Sequence, residues 1–271
     1  MTTTLTPTVL PITLTVEAPL VHGGGQDGSN TQLFRRQTRL HDGTVCRVPV
    51  VSGNALRGIL RRQGAWALWE ALGEPTLTPA QARALASGGA LRTEKAIPLD
   101  VLRDVRDWVD HLGLFGAAWG GTIHDGALMV GHLVPQCVEN GTGQIRAARL
   151  VDRVMLTRHD TDLIPTETVE GGTDESNQMI YEVEALAPGV TLDGWINFRP
   201  WATDHHRDWA ALCWQRWVAT GAHIGGKSAA GHGRIAVSSA PDGLDAAAAQ
   251  RALDRVTANR GEILAALEGV H

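Results

Sequence analysis

Ile12, Leu14 and Val16 alternate with Thr13 and Thr15, the period-2 signature of a strand buried on one face. That run stops at His22-Gly23-Gly24-Gly25, and positions 23–48 are rich in Gly, Asp and Arg with little periodicity. A structureless connection of that length is uncommon, so a functional loop, ordered in part on a ligand, is expected there. Beyond it, Leu56, Ile59, Leu60, Ala67 and Leu68 recur at helical spacing behind Ser52, a good N-cap, which predicts a helix ending near Gly73. Leu102, Val105, Val109 and Leu112 predict a second helix that Gly113 should terminate, with Phe115-Gly116 and Gly120-Gly121 as turns.

Strands are expected over 127–134, 149–156, 179–186 and 191–198, each short, apolar or β-branched, and bounded by Gly, Pro or Asn. Trp209, Leu212, Cys213 and Trp217 mark a third helix. Its tryptophans, with Trp214, sit at helical spacing in an apolar stretch and so read as core rather than as base-stacking platforms. Positions 234–237 read as a closing strand, and the Ala-rich segment from 244 onward as helical. The strands can pair antiparallel and no regular βαβ cadence appears, which favours an α+β class. No fixed-period repeat points to a solenoid or propeller.

The chain has 271 residues, 43% hydrophobic and 20% charged, ordinary for a globular protein with a sizeable core. Its three cysteines, Cys46, Cys137 and Cys213, form no CxxC pair, so neither zinc nor a disulfide framework is implied and a reducing cytoplasm fits. The N-terminus lacks the basic region and long apolar run of a signal peptide, and no stretch has the length of a membrane span; a soluble, cytoplasmic protein is expected.

The net charge of −5 argues against a generally basic protein, yet from Asn30 to Gln63 seven arginines (Arg35, Arg36, Arg39, Arg47, Arg57, Arg61, Arg62) face one acid, Asp42. On the first helix Asn54, Arg57 and Arg61 are spaced i, i+3, i+7 and share a face that begins at a helix N-terminus, where unpaired N–H groups attract anions. A solvated basic face is the plainer alternative. A second basic, Gly-rich segment tips the balance to a polyanion: His223-Ile224-Gly225-Gly226-Lys227-Ser228-Ala229-Ala230-Gly231-His232-Gly233-Arg234. Residues 221–228 also match G-x-x-x-x-G-K-S, but a P-loop follows a strand and opens a helix, and here a Trp-rich helix precedes and a glycine-broken stretch follows.

At these segments the chain resembles the RAMP superfamily of CRISPR-associated proteins, in particular the backbone subunits of type III and type IV effector complexes. Pro49-Val50-Val51-Ser52-Gly53-Asn54-Ala55-Leu56-Arg57-Gly58-Ile59-Leu60-Arg61 resembles the family's small-residue turn into its first helix, and 225–234 its late Gly-rich loop. Leu114-Phe115-Gly116 and Arg149-Leu150-Val151-Asp152-Arg153 are weaker similarities, in the right order. The resemblance implies one domain over 1–271 with an RRM-like (ferredoxin-like) palm, inserted fingers and a thumb near 157–178; the Ala-rich segment 244–271 lies outside it. It implies a subunit that binds guide RNA and stacks head to tail with copies of itself beside other effector subunits and a complementary target nucleic acid, in antiviral or anti-plasmid defence. The RNA-binding residues would be Arg35, Arg36, Ser52, Asn54, Arg57, Arg61, Gly225, Gly226, Lys227, Ser228, His232 and Arg234, with no cofactor.

Some type III relatives cut target RNA with an Asp in the loop after the first strand. Registering Leu33-Phe34-Arg35 on the family pattern places Asn30 at that position, and an amide cannot serve as base or metal ligand in the same way. Asp27, three residues earlier, is the candidate that remains; His22, His223 and His232 are candidate assistants. His41-Asp42, His124-Asp125 and His159-Asp160 resemble metal-binding HD pairs but fall in expected loops and read as polar turns, so no metal is assigned. Three readings result: a non-catalytic RNA-binding backbone subunit, a target-RNA endoribonuclease on the same scaffold, and a P-loop phosphotransferase.

Overall fold

The computed structural model describes residues 9–28, 30–40, 42–89, 98–119, 121–158, 179–238 and 240–270. Strand β1 (Leu10–Val16) is followed by two hairpins, β2 (Gly23–Asp27) with β3 (Asn30–Leu33) and β4 (Arg35–Arg39) with β5 (Val45–Pro49). Four helices come next: α1 (Gly53–Ala71), α2 (Pro79–Ser87), α3 (Leu99–Trp108) and α4 (Asp110–Phe115). A hairpin of β6 (Gly116–Trp119) and β7 (Thr122–Asp125) precedes β8 (Leu128–Val130) and β9 (Val134–Pro135). The eight-residue strands β10 (Val151–Arg158), β11 (Met179–Leu186) and β12 (Thr191–Phe198) lead to α5 (Asp204–Ala219), β13 (Ile235–Val237), α6 (Ala246–Ala258) and α7 (Arg260–Glu268).

The centre is a ferredoxin-like unit. In chain order its parts are β1-α1-β8-β12-α5-β13, and its sheet runs β13-β1-β12-β8 with every pair antiparallel. Alternation explains why β1 sits in the middle: Leu10, Ile12, Leu14 and Val16 point inward while Pro11 is exposed. Those side chains join one core with Leu56 and Leu60 of α1 and with Trp209, Trp214 and Trp217 of α5, each tryptophan at most 1% exposed. Large apolar side chains of this kind contribute roughly 1.5–3 kcal/mol each on burial.

A second sheet, β10-β11-β3-β2, flanks the unit. Its long antiparallel pair, from Val151↔Leu186 to Arg158↔Met179, forms the arms that lead toward the expected thumb; 159–178 lie outside the described residues. The first hairpin docks on those arms through a parallel step, Val183↔Thr31. Among the described residues no helix is long and apolar enough to cross a membrane.

Three expectations need correction and one helix is new. Positions 23–48 are two hairpins rather than a loop; β2 is exposed at every position, so nothing drives an apolar alternation that a reader could see. The second predicted helix breaks at Val109 and runs on to Phe115, where Gly116 (φ +64°) stops it. Gly113 is there for packing: a Cβ would lie 2.3 Å from His206 Nε2. The strand expected over 127–134 is split into β8 and β9 around Gly131, against which the Trp195 ring lies. Helix α2 was unforeseen, although Thr78 and Gln81 form a capping box, Pro79 opens it and Gly88 (φ +95°) closes it.

Candidate nucleic-acid interface

The start of α1 is held from three sides. Ser52 caps it by accepting the Ala55 N–H at 3.3 Å, as expected of that residue. Two imidazoles accept the neighbouring N–H groups: Ser52 N–H donates to His22 Nε2 and Gly53 N–H to His132 Nδ1, both at 3.1 Å. The Phe34 ring stands edge-on to both, 5.7 Å from His22 and 6.1 Å from His132. Gly53 permits the approach, since a Cβ there would fall 2.1 Å from the Val130 carbonyl oxygen.

The Gly-rich loop is built by left-handed backbone. Gly225 (φ +89°), Lys227 (φ +64°), Gly231 (φ +82°) and Gly233 (φ +77°) all adopt it. Gly226 N–H donates to the Val21 carbonyl at 2.8 Å, and a Cβ on Gly225 would sit 2.3 Å from that same oxygen. Lys227 is the exception among glycines, and an L side chain in this region costs on the order of 1 kcal/mol or more. Its Nζ donates to the Tyr181 hydroxyl at 3.2 Å and lies 5.0 Å from the ring centroid. Helix α5 precedes the loop and a three-residue 3₁₀ turn, Ser228–Ala230, follows Lys227. No helix N-terminus stands behind this lysine, so the G-x-x-x-x-G-K-S match lacks the phosphate cradle of a P-loop.

The two segments meet. A cleft of about 330 Å³ is lined by His22, Asn54, Gly58 and Arg62 on one side and by Gly225, Gly226 and Lys227 on the other. The row Asn54, Gly58, Arg62 is the i, i+4, i+8 ridge of α1, and the small Gly58 leaves its middle open. Arg62 is the groove cation that sequence reasoning passed over; the ridge spacing was the available signal.

Arg57 and Arg61 turn the other way round the helix. Arg61 is 6% exposed, with Nε donating to the Leu85 carbonyl at 2.7 Å, Nη1 to that of Phe115 at 3.3 Å and Nη2 to that of Ala84. Arg57 also donates to the Phe115 carbonyl. Burial and the charge of Arg57 push the Arg61 guanidinium down to about 10, so it stays charged at neutral pH. Both guanidinium groups satisfy the last carbonyls of α2 and α4, a helix C-terminal role for cations.

The remaining candidates are spread out. Arg35 pairs with Glu184 at 2.7 Å, Arg36 is exposed on β4, and Arg234 pairs with Glu17 at 2.8 Å. Ser228 is exposed, whereas His232 is buried with Nδ1 3.3 Å from the Pro19 carbonyl oxygen. Asp27 and Asn30 face each other at the exposed tip of the β2–β3 hairpin, where Gln32 Nε2 reaches Asp27 at 3.5 Å. Asp27 does not line the groove, and among the described residues no group of three His, Cys, Asp or Glu is placed to hold a metal ion.

A larger cleft of about 970 Å³ lies between α3, the β6–β7 hairpin and the start of α5. It contains the His124-Asp125 pair, and the pair is divided: His124 stacks on Trp119 at 4.1 Å while Asp125 pairs with Arg199 at 3.4 Å. Asp42 accepts the Thr44 N–H at 2.8 Å, an Asx turn, with His41 outside the described residues as are His159 and Asp160.

No family model matches this sequence, and no curated protein matches it. A chain from a solved structure described as a "Type IV-B CRISPR Complex" aligns with TM-score 0.58 and 23% identity, over 85% of this chain and 90% of that one. The two chains share a fold. At that identity the likeness speaks for the α+β architecture around the ferredoxin-like unit, and the chemistry must be argued from the side chains.

Proposed function

We propose that this chain is an RNA-binding backbone subunit of a CRISPR effector complex. It holds a guide RNA by its phosphates and stacks head to tail with copies of itself, beside other effector subunits and the paired target. The observation that carries the reading is the groove in which the start of α1 and the Gly225-Gly226-Lys227 loop face each other, on the fold shared with a chain of a type IV-B complex. Asn54 offers an amide, Arg62 and Lys227 offer cations, and the glycines let a backbone phosphate come close. A heterologous, non-closing interface between copies would extend such grooves into one track along the RNA.

Filter binding of unrelated single-stranded RNAs across a salt series tests this. Affinity is expected to be nearly independent of sequence and to fall steeply with salt, and Arg62→Ala or Lys227→Ala each to flatten the slope by about 0.7 for every phosphate no longer neutralised. Unchanged affinity and slope in both variants refute the groove. Target cleavage through Asp27 is the second reading; Asp27 sits at the exposed hairpin tip and is not among the residues lining the groove, so no observation favours it.

A further inference from the structure

Imidazole nitrogens are unusual acceptors at a helix start, where hydroxyl and carboxylate oxygens are the common ones. Here two of them, from distant parts of the chain, accept consecutive N–H groups of the same turn, His22 Nε2 from Ser52 and His132 Nδ1 from Gly53. An accepting ring nitrogen carries no proton, so each neutral ring is fixed in one tautomer: His22 with its proton on Nδ1, His132 with its proton on Nε2. His22 lines the groove one residue on from Val21, whose carbonyl holds Gly226. The same short segment therefore ties the start of α1 to the Gly-rich loop.

We propose that His22 and His132 are positioning residues of this groove: their unprotonated nitrogens fix the first turn of α1 so that Asn54 faces Gly226 and Lys227. The inference rests on the RNA-binding reading for its purpose but not for its geometry. Protonating either ring would turn an acceptor into a donor aimed at an N–H group, at the positive end of a helix. Among the described residues, the cations lining the groove beside His22 are Arg62 from α1 and Lys227 from the loop, the neutral His132 ring stands beside it on the β8–β9 link, and the acid on the strand side, Glu184, accepts the Leu33 N–H and is paired with Arg35. Burial first, and His132 second, hold the His22 pKa below its ordinary value, which agrees with a ring kept neutral.

The test exchanges acceptor depth. Glutamine carries an amide oxygen about as far from the backbone as Nε2, and asparagine one about as far as Nδ1. His22→Gln with His132→Asn is thus the matched double variant, and His22→Asn with His132→Gln the mismatched one of the same composition. The matched protein should bind single-stranded RNA within about twofold of wild type, while the mismatched one loses about tenfold, the scale of a donor left unpaired. Without RNA, the wild-type Tm should drop as pH falls below about 6.5, because a depressed folded-state pKa removes stability on protonation, and the matched variant should show a shallower drop. At pH 7 the mismatched variant should also melt below the matched one, and equal RNA affinity with equal Tm in the two would overturn the proposal. If neither they nor wild type bound RNA while Tm at pH 7 still separated the two, the positioning role would stand and the RNA reading would fall.

Discussion

Replacing Arg61 by Met separates a structural arginine from a phosphate-binding one. The substitution keeps the aliphatic stem and removes a guanidinium that donates to the carbonyls of Ala84, Leu85 and Phe115. Hydrogen bonds from a charged donor are worth about 1.5–3 kcal/mol each, but the desolvation of a group only 6% exposed opposes them. The Leu85 carbonyl keeps a second donor, His111 Nε2 at 2.9 Å, and Phe115 keeps Arg57, so the Ala84 carbonyl is the one stranded. A net loss of about 2–4 kcal/mol follows, or roughly 4–7 °C in Tm at this chain length. The variant should nevertheless retain the wild-type salt slope for single-stranded RNA, since its guanidinium never faced the groove. Arg62→Ala should do the reverse, leaving Tm within about 2 °C and flattening the slope. Thermal denaturation and salt-dependent filter binding on both proteins give the answer. An Arg61→Met protein as stable as wild type with a flattened slope would refute the assignment.

Two further outcomes are checked by denaturation, the first together with RNA binding. Lys227→Gly relieves a left-handed backbone, so stability in a urea titration should hold or rise by up to about 1 kcal/mol while RNA affinity falls; a stability loss greater than that contradicts the strain argument. Burial lowers the His111 pKa to about 3, with Nε2 donating to Leu85 and Nδ1 accepting from Trp209 at 3.1 Å. Its folded-state value lies below the ordinary 6.5, so the stability it supplies is whole above that pH and drains away as pH falls toward 3; His111→Phe should lose stability at pH 7 yet show a flatter decline between those limits.

Much of the fold was legible because one-sided burial writes itself into sequence. The alternation in β1 follows from a single apolar face, while the edges of β11 and β12 and the three buried tryptophans of α5 follow from apolar runs that the core encloses more fully. The β2–β3 and β4–β5 hairpins were not legible, since β2 is exposed throughout and the other three strands bury little beyond their ends, at Leu33, Val48 and Pro49, so backbone hydrogen bonds hold them and leave little mark on side-chain polarity. Gly113 misled for a related reason. It reads as a helix stop, while its cause is the His206 ring almost a hundred residues later, and no local pattern carries that approach.

The candidate site divides along the same line. That the first helix and the late Gly-rich loop belong together could be read from their composition, because both needs, small residues for close approach and cations for charge, are local. Which arginines serve the groove could not. Asn54, Arg57 and Arg61 do share a face on a helical wheel, but a long side chain leaves its face for the nearest unsatisfied acceptors. The carbonyls closing α2 and α4 supplied those, in elements whose position, and in one case existence, the sequence did not announce. A buried carbonyl left unpaired costs about 1–3 kcal/mol, more than the roughly 0–1 kcal/mol of an exposed ion pair, so the packed end of the helix claims its arginines first. The α1 cation left to face solvent is the one on the ridge with Asn54 and Gly58, and it is this remainder, Arg62 with Lys227, on which the proposed polyanion site of a chain of net charge −5 depends.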